Sequence, residues 1–562
     1  MRPRAHGLLL LLSATCGRTE LNSLSPEPPF LRLPGNGAYT GSVRAPATRR
    51  TLQPTFTWQR GGQLDAPSYE LQVDDSCDPD GFGLCAFPSP EIDVVVPALA
   101  YRPERDLAVS YVPPVGRRYY WRVRGCNRGG GEPCSAWAPV RYVDVGRERG
   151  DIDGDGYADV LVAAPQLRSV FVHRGSSRGP SSSPDLVLRA DASNPTVAFG
   201  IEVTTLGDVN GDGFGDVNID GHRLYLGTGA APLLLPGPAL EGFSSTALNG
   251  SPSSAGVGDT DADGYADVLA GPPSIYQGDK DAASRVSVFP QTLPKPPETE
   301  PFGCYGCSLS GAGDVDGDGH LDVLVGAPME KKVSSPGITD PVFMGAAYLF
   351  FGGPGSVRAQ DTVRFENPIA TWQCKPEEVE TFEFGTVVAR AGDLDRDGLS
   401  EFAISNLSAY ETCGRMGAFT FFGTTFIYSR EAGSGSWRPR AELRAYKGLV
   451  FPAGDFDCDG FDDLGAFTFS IGDGLRIGVY SGSSSGLVPS ARWTADVTSA
   501  ATGEAVFPGS GDINGDGCSD IALGNSFQGR VFIFVGGAGQ AATPSYTLVG
   551  PRDSAFGKSV AM

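Results

Sequence analysis

Asp314-Val-Asp-Gly-Asp-Gly-His-Leu-Asp322 places carboxylates at positions 1, 3, 5 and 9 of a nine-residue segment, and an apolar run follows directly. Alternation directs the side chains of positions 1, 3 and 5 toward one centre, and the glycine at position 6 permits a sharp turn. The backbone carbonyl of position 7 and the carboxylate of position 9 can complete a set of hard oxygen ligands. Such a set on a flexible loop suits Ca²⁺ better than Mg²⁺, which retains its waters and requires a tight octahedron.

The same acidic loop occurs seven times, and we number the copies loop 1 to loop 7 in chain order. Their first residues stand 51 to 79 positions apart, so the loops mark a repeated structural unit rather than chance acidic turns. Positions 1 and 5 are always Asp, position 6 is always Gly, position 3 is Asp or Asn, and position 9 is Asp or Glu. The predicted calcium ligands, at positions 1, 3, 5, 7 and 9 of each loop in turn, are Asp151, Asp153, Asp155, Tyr157, Asp159; Asp208, Asn210, Asp212, Phe214, Asp216; Asp259, Asp261, Asp263, Tyr265, Asp267; Asp314, Asp316, Asp318, His320, Asp322; Asp393, Asp395, Asp397, Leu399, Glu401; Asp455, Asp457, Asp459, Phe461, Asp463; and Asp512, Asn514, Asp516, Cys518, Asp520.

Three other calcium motifs do not fit these loops. An EF-hand loop has its bidentate acid at position 12 and helices on both sides. Position 12 here is apolar in most copies, as at Val162 and Val325, and an apparent strand follows. Dockerin-like loops fail for the same reason, and RTX nonapeptides recur every nine residues. We therefore expect up to seven Ca²⁺ ions, one per repeat, in a structural role.

The acidity of the chain reflects these loops. The 562 residues carry a net charge of −22, which disfavours binding to nucleic acid or anionic membranes. The loops alone hold 26 acidic positions, and seven Ca²⁺ would offset 14 of the negative charges. With 77 glycines and 44 prolines, the composition is that of a turn-rich β protein.

The N-terminus predicts export. Residues 1–16 combine an early basic pair with a short apolar run, as in a signal peptide, and Cys16 follows Leu-Leu-Ser-Ala-Thr as in a loose lipobox. Either lipidation of Cys16 or ordinary cleavage remains open, so we expect a cell-surface or outer-membrane lipoprotein or a secreted protein. A membrane contact is expected only through that lipid. Residues 17–35 are interpreted as a tether.

The remaining ten cysteines suit an oxidising compartment. The expected pairs are Cys77 with Cys85, Cys126 with Cys134, and Cys374 with Cys413. Pairing of Cys304 with Cys307 and of Cys458 with Cys518 is weaker on sequence grounds.

Residues 36–146 form a separate β unit with five alternating segments. The strand candidates are Thr55–Trp58, Tyr69–Val73, Ile92–Val96, Tyr119–Arg124 and Val140–Val145. The length, the early Trp58 and the Tyr-Tyr-Trp segment at 119–121 resemble a fibronectin type III sandwich.

Four short strands accompany each acidic loop from residue 151 to residue 562. One follows the loop directly, another comes next, as in Arg285–Phe289 or Gly417–Phe422, and a weaker one completes the unit. A strand often preceded by Phe-Gly stands before the loop. Four strands in seven repeats predict a seven-bladed β-propeller, because one small sheet cannot bury both faces alone.

The repeat residues resemble the FG-GAP repeats of integrin alpha chains. The shared pieces are Phe199-Gly200, Phe384-Gly385, Gly326-Ala-Pro328 and the loops between the first two strands. The resemblance implies an adhesion or binding propeller whose ligand face lies opposite the calcium loops. Integrin propellers do not carry a loop in every blade, which makes this chain more similar to bacterial and secreted members.

The C-terminal segment Ala555–Met562 matches the strand that is missing before loop 1, so we expect it to pair there and close the ring. The alternative is Tyr142–Val145 as that first strand.

The predicted function is non-catalytic binding of a protein or glycan on the loops opposite the calcium side. Long insertions at 274–284, 329–344, 366–383 and 405–416 are candidates for that face. The tripeptide Arg149-Gly-Asp151 is discounted as an integrin ligand because Asp151 is a predicted calcium ligand. No catalytic constellation is recognised. A polysaccharide- or lipid-active enzyme and a purely structural envelope protein remain the alternatives.

Overall fold

The structure is a computed structural model that describes residues 26–45, 51–62, 66–127, 133–147, 150–191, 198–240, 254–271, 273–281, 290–295, 304–330, 343–368, 381–406, 422–431, 434–446, 448–470, 474–496 and 508–562. The described chain is built from β-strands, and its helical parts are two short 3-10 turns, Pro79–Leu84 and Pro165–Leu167. None of the helices in these ranges is long and apolar enough to span a membrane. The predicted signal peptide and Cys16 lie outside the described residues.

The N-terminal unit, residues 26–147, consists of two sheets that share one core. Its strands are β1 Phe30–Leu33, β2 Ala38–Thr40, β3 Phe56–Gln59, β4 Ser68–Asp74, β5 Ile92–Val96, β6 Ala100–Tyr101, β7 Arg117–Cys126 and β8 Arg141–Val145. The sheet orders are β1-β3-β6 and β2-β8-β7-β4-β5. Both sheets turn alternate side chains into a core that contains Trp58 and Trp121. The predicted tether is wrong where β1 lies, because Leu31 is buried and β1 pairs with β3.

Seven small sheets follow the N-terminal unit in the described residues, and each consists mainly of four antiparallel strands. Sheet 1 begins with β9 Val160–Ala164, β10 Ser169–His173 and β11 Leu186–Arg189. Sheet 2 contains β12 Val203–Gly207, β13 Asp216–Ile219, β14 Arg223–Gly227 and β15 Leu234–Ala239. Sheet 3 contains β16 Ser254–Gly258, β17 Asp267–Ala270, β18 Ser274–Tyr276 and β19 Gln291–Thr292. Sheet 4 contains β20 Ser308–Gly313, β21 Asp322–Ala327, β22 Phe343–Phe351 and β23 Arg358–Phe365, with β24 Thr381–Phe384 beside β22.

The last three sheets repeat the same order. Sheet 5 contains β25 Val387–Gly392, β26 Glu401–Ser405, β27 Phe422–Arg430 and β28 Trp437–Tyr446. Sheet 6 contains β29 Val450–Gly454, β30 Asp463–Ser470, β31 Gly474–Tyr480 and β32 Trp493–Asp496. Sheet 7 contains β33 Gly509–Gly511, β34 Asp520–Asn525, β35 Arg530–Phe534 and β36 Tyr546–Val549. The final strand, β37 Val560–Ala561, belongs to sheet 1.

The first strands of neighbouring sheets contact one another around a closed ring, which makes this architecture a β-propeller, as predicted from the repeats. The ring runs β37, β12, β16, β20, β25, β29, β33 and back to β37. These strands surround a central cavity of about 510 Å³. Seven hydrophobic clusters each lie between two adjacent sheets. Each sheet therefore depends on both neighbours for its buried faces.

The C-terminal strand β37 pairs antiparallel with β9, opposing Val560 to Val162 and Ala561 to Leu161. Gly150, which precedes loop 1, lies against the last residue, Met562. The alternative first strand at 142–145 is wrong, because β8 pairs with β7 and β2 in the N-terminal unit. There it supplies Val143 and Val145 to the core.

Two predicted strand positions differ from the structure. The insertion expected at 274–284 begins with β18, whose Ile275 is fully buried and whose backbone pairs with β17, so this part is sheet rather than loop. The expected strand Arg285–Phe289 lies outside the described residues. In sheet 5 the partner of β26 is β27 rather than Gly417–Phe422, because Phe426, Ile427 and Tyr428 fill the core there.

Candidate metal centres

Loops 2 to 7 each connect the first strand of a sheet to the second, at one side of the ring. Loop 4, for example, runs from the end of β20 to the start of β21, so that Asp322 is both position 9 and the first residue of a strand. Loop 1 follows the N-terminal unit along the chain and leads into β9, and the C-terminal strand β37 takes the place of the first strand of sheet 1. The sheet geometry thereby brings the loops to one side of the propeller, which we call the loop side; the other side is the opposite side.

The seven loops share one hydrogen-bond pattern. The position 9 carboxylate accepts the N–H of position 2 at 2.8–3.0 Å in every copy. The side chain at position 3 accepts the N–H of position 5, and the position 5 carboxylate accepts the N–H of position 7. Glycine at position 6 has φ between 85° and 99°, a conformation that other residues resist. The predicted ligand side chains of each loop are therefore held around a common centre.

Carboxylate oxygens from different positions approach closely in these loops. In loops 1, 3 and 4, one oxygen from each of three acids lies within 4.8 Å of the others. The clusters are Asp151, Asp153 and Asp159; Asp259, Asp261 and Asp263; and Asp314, Asp316 and Asp322. Mutual repulsion of such groups is relieved by a cation between them.

The burial of these acids likewise favours a cation between them. Partial or full removal from water raises the pKa of all 14 carboxyl groups at positions 1 and 9. It raises the pKa of Asp151, Asp314 and Asp520 to about 7 and that of Asp463 to about 8. Among the described residues, the buried oxygens Asp393 Oδ1 and Asp455 Oδ1 have no hydrogen-bond partner. Buried, closely spaced carboxylates with unpaired oxygens are the donor set that a hard divalent cation requires.

Three loops have an arginine beside position 3, which the sequence did not predict. Arg174 Nη1 lies 2.8 Å from Asp153 Oδ2, Arg358 Nη2 contacts Asp316 and Asp318, and Arg492 Nη1 lies 3.1 Å from Asp457 Oδ2. These arginines stand at no constant distance in sequence from their loops, so the repeat gives no signal for them. They bind outer oxygens and orient the carboxylates, as outer-shell groups do in metal sites.

The N-terminal unit covers much of the loop side, which was also not predicted. Arg118 Nη1 donates to the Gly319 carbonyl at 2.8 Å, and Arg141 Nη2 donates to the Arg396 carbonyl at 2.6 Å. His320 directs its ring toward Asp80, with Nε2 and Oδ1 at 2.9 Å, and so offers loop 4 only its backbone. The loop side is therefore an interface within this chain.

The cysteine pairs agree with the sequence where they are described. Cys77 pairs with Cys85, and Cys126 pairs with Cys134. Cys304 also pairs with Cys307, and Cys458 of loop 6 pairs with Cys518 of loop 7. Cys374 and Cys413 lie outside the described residues, as do Arg149 and most of the insertions at 329–344, 366–383 and 405–416.

Fold and loops together define a β-propeller built from repeats with acidic loops whose carboxylates fit a divalent cation. Residues 150–176, 308–349 and 507–542 match the FG-GAP repeat family. The chain is similar to integrin alpha-PS3 of Drosophila melanogaster, with 28% identity over 155 residues, and to integrin alpha pat-2 of Caenorhabditis briggsae, with 30% over 168 residues. Each match covers 26% of this chain and 12% of the relative. Integrin alpha-3 of Cricetulus griseus is 28% identical over 187 residues, 32% of this chain and 13% of that protein. Three stretches of this chain therefore match FG-GAP repeats, and part of the chain is similar to integrin alpha chains, as the sequence predicted.

Proposed function

We propose that this protein is an extracellular, calcium-stabilised propeller that binds a protein or glycan ligand on the opposite side. The integrin alpha-like FG-GAP repeats support a role in adhesion or binding. Ca²⁺ fits the seven loops by its preference for six to eight oxygen ligands in a flexible cage. Each loop offers up to four side chains and one backbone carbonyl, which leaves little open coordination for catalysis.

The observation that carries this proposal is a difference between the two sides of the ring. The loop side is occupied by the N-terminal unit. At the opposite side, Leu167, Ile201 and Phe527 expose apolar side chains in the consecutive sheets 1, 2 and 7, and Phe527 is 75% exposed. Exposed apolar groups on a rigid scaffold are typical of binding surfaces.

The remaining proposals concern the surroundings of the propeller. The three-stranded and five-stranded sheets of the N-terminal unit support a fibronectin type III-like sandwich. Residues 1–16 act as an export signal, with Cys16 as the lipidation site of a surface lipoprotein or with cleavage to a secreted form. Cys374 and Cys413 form a further disulfide.

Binding is tested with mature protein, residues 17–562, on arrays of extracellular matrix proteins and glycans. We compare it with a variant that carries Leu167→Ser, Ile201→Ser and Phe527→Ser, and with a second variant in which residues 331–342, which lie between Glu330 and strand β22, become a short Gly-Ser turn. Leu84→Ser is the matched control, since Leu84 is 95% exposed on the N-terminal unit. We expect calcium-dependent binding that the control retains and at least one opposite-side variant loses. Binding by neither the mature protein nor the control would contradict the proposal.

A further inference from the structure

Hydrogen bonds and ion pairs join the N-terminal unit to six of the seven acidic loops. In loops 1 and 2, Ser42 contacts Gly154, Arg44 contacts Asp212 and Val115 contacts Gly211. In loops 3 and 4, Arg118 and Arg147 contact Asp259, Arg118 also contacts Gly319, and Asn36 contacts Asp314. In loops 5 and 6, Arg141 contacts Arg396, Asn36 contacts Gly398 and Arg32 contacts Asp459. One small unit thus contacts loops from six consecutive sheets, and it can do so only if all six hold their shape together.

Most of these acceptors are backbone carbonyls at positions 4, 5 and 6 of the loops. Examples are Gly154, Gly211 and Arg396 at position 4, and Gly319 and Gly398 at position 6. The proposed calcium ligands are instead the side chains of positions 1, 3, 5 and 9 and the carbonyl of position 7. The N-terminal unit therefore contacts the outside of the turn, and the ion and the unit do not compete for these atoms.

The charges of the N-terminal unit and of the acidic loops are also complementary. Arg118 Nη2 and Arg147 Nη1 lie 3.7 Å and 3.9 Å from Asp259 Oδ2, and Arg141 Nη2 lies 3.7 Å from Asp393 Oδ2. Arg141 is only 4% exposed. Loops 3 and 5 carry four carboxylates each, so each keeps net negative charge after one Ca²⁺ is bound. The arginines are therefore still attracted to loops that are already loaded, so charge does not prevent docking once the ion is bound, and the preference for loaded loops comes from the fixed shape of the turn.

Loop 7 differs from the other loops. Gly515, Asp516 and Gly517 are exposed at its tip, and none of the contacts described above reaches it. It is joined to loop 6 by the Cys458–Cys518 disulfide. Loop 7 therefore serves as an internal reference for calcium binding that does not involve the N-terminal unit.

We propose that the N-terminal unit is a calcium-dependent cap, which docks on the loaded loops and in turn raises the calcium affinity of the loops that it contacts. The inference rests on calcium binding by the loops, as proposed above. Without the ion, the clustered carboxylates repel one another and the outward carbonyls lose their fixed direction. If calcium favours docking, docking favours calcium by the same factor.

Hydrogen exchange followed by mass spectrometry during a calcium titration of the mature protein tests the coupling. Val115 N–H, which donates to the Gly211 carbonyl at 2.9 Å, reports docking, and the amides of loops 3, 5 and 7 report loading. Strand β21 reports the integrity of the propeller. We expect protection of Val115 to rise with loading of loops 3 and 5 while β21 stays protected throughout. The proposal would be overturned if the protection of the Val115 amide did not depend on calcium, or if it were lost only together with the protection of β21.

Arg118→Ala combined with Arg141→Ala removes donors of the cap without altering any loop. We expect the calcium midpoints of loops 3 and 5 to rise at least about fivefold, within the usual range of such couplings, while loop 7 does not change. Arg124→Ala is the control, since Arg124 lies on the same strand but pairs with Glu70 inside the unit. An equal shift in loop 7, or none in loops 3 and 5, refutes the coupling. Absence of calcium protection in loop 7 as well would instead refute calcium binding itself.

Discussion

At the scale of single residues, the buried acids of the loops determine how the protein responds to protons and to calcium. Asp322 has no exposed surface and accepts two backbone N–H groups, from Val315 and Gly352, each at 2.8 Å. Two neutral donors do not replace the water that a buried carboxylate loses. We therefore expect a cation in the loop to stabilise the fold at neutral pH.

The pH dependence of the metal-free protein follows from the raised pKa values. Burial raises the pKa of Asp151, Asp208, Asp314 and Asp393 from 3.8 to about 7, so the folded state binds protons more tightly than the unfolded state. The resulting stabilisation is complete below the unfolded value and is lost as the pH rises through about 7. We expect the melting temperature of chelated protein to fall from about pH 4 until the pH has passed about 7. Calcium should abolish that fall and should release protons on binding, measurable by calorimetry in two buffers.

The Asp322→Asn variant tests separately the calcium binding by a position 9 carboxylate and the cost of burying its charge. With calcium, we expect binding at loop 4 to weaken at least about tenfold, a loss that even groups around a metal's direct ligands can produce. With chelator, the variant should melt no lower than the native protein, because it removes a buried charge. Asp361→Asn on the exposed side of β23 is the control. A variant that melts lower in both conditions by the same amount would argue against an ion in loop 4.

At the scale of elements, the closing strand is the smallest part on which the whole ring depends. Strand β37 pairs with β9, Ser559 exchanges hydrogen bonds with Val203 of sheet 2, and Phe556 packs on Phe171. Its loss would leave an exposed edge and open the junction between sheets 7 and 1.

Deletion of residues 555–562 should therefore destabilise all seven sheets and not only the first. We expect a fall in melting temperature seen equally by tryptophan fluorescence and by far-ultraviolet circular dichroism, because one opened junction weakens the whole ring. Ser559→Ala should lower the melting temperature less. A truncated protein that melts at the native temperature would show that the ring does not need this strand.

The disulfide between loops 6 and 7 offers a second test at this scale. Cys458 and Cys518 are separated by 60 residues, whereas Cys126 and Cys134 are separated by 8. The entropy of loop closure gives about 4 kcal/mol for the long link and about 2.5 kcal/mol for the short one. We expect Cys458→Ser with Cys518→Ser to lower the free energy of unfolding more than Cys126→Ser with Cys134→Ser, measured by urea denaturation. The opposite order would indicate that loop 7 is held in place without the link.

The contrast between loops and interface explains what the sequence could predict. The acidic loops, their ligands and most strands follow local patterns that recur seven times, and the propeller fold follows from them. The docking of the N-terminal unit depends on Arg118 and Arg141, which occupy ordinary positions in β7 and β8 and carry no sign of their distant partners. Strand β1 was missed because Phe30–Leu33 is short and lies among prolines, and only its pairing with β3 reveals it.

At the scale of the whole molecule, we expect calcium and the ring to stabilise one another. Seven hydrophobic clusters between neighbouring sheets would transmit a local loss of packing around the closed ring, while loops 2 to 7 connect the first two strands of their sheets. A site that binds only the folded state contributes about 2.7 kcal/mol when free calcium is 100 times its dissociation constant. Several such sites match the total stability of a typical domain.

The melting temperature of the mature protein should therefore rise with the logarithm of free calcium, and it should keep rising after the loops are saturated because the ions bind only the folded state. Mg²⁺ at equal concentration should produce a smaller rise, because it gives up its water less readily and the loops do not offer its tight octahedron. Scanning calorimetry over a calcium series, with an equal series of Mg²⁺ as the control, measures both effects. The slope gives the number of ions released on unfolding, and a value close to one would mean that a single loop, rather than the set, stabilises the propeller.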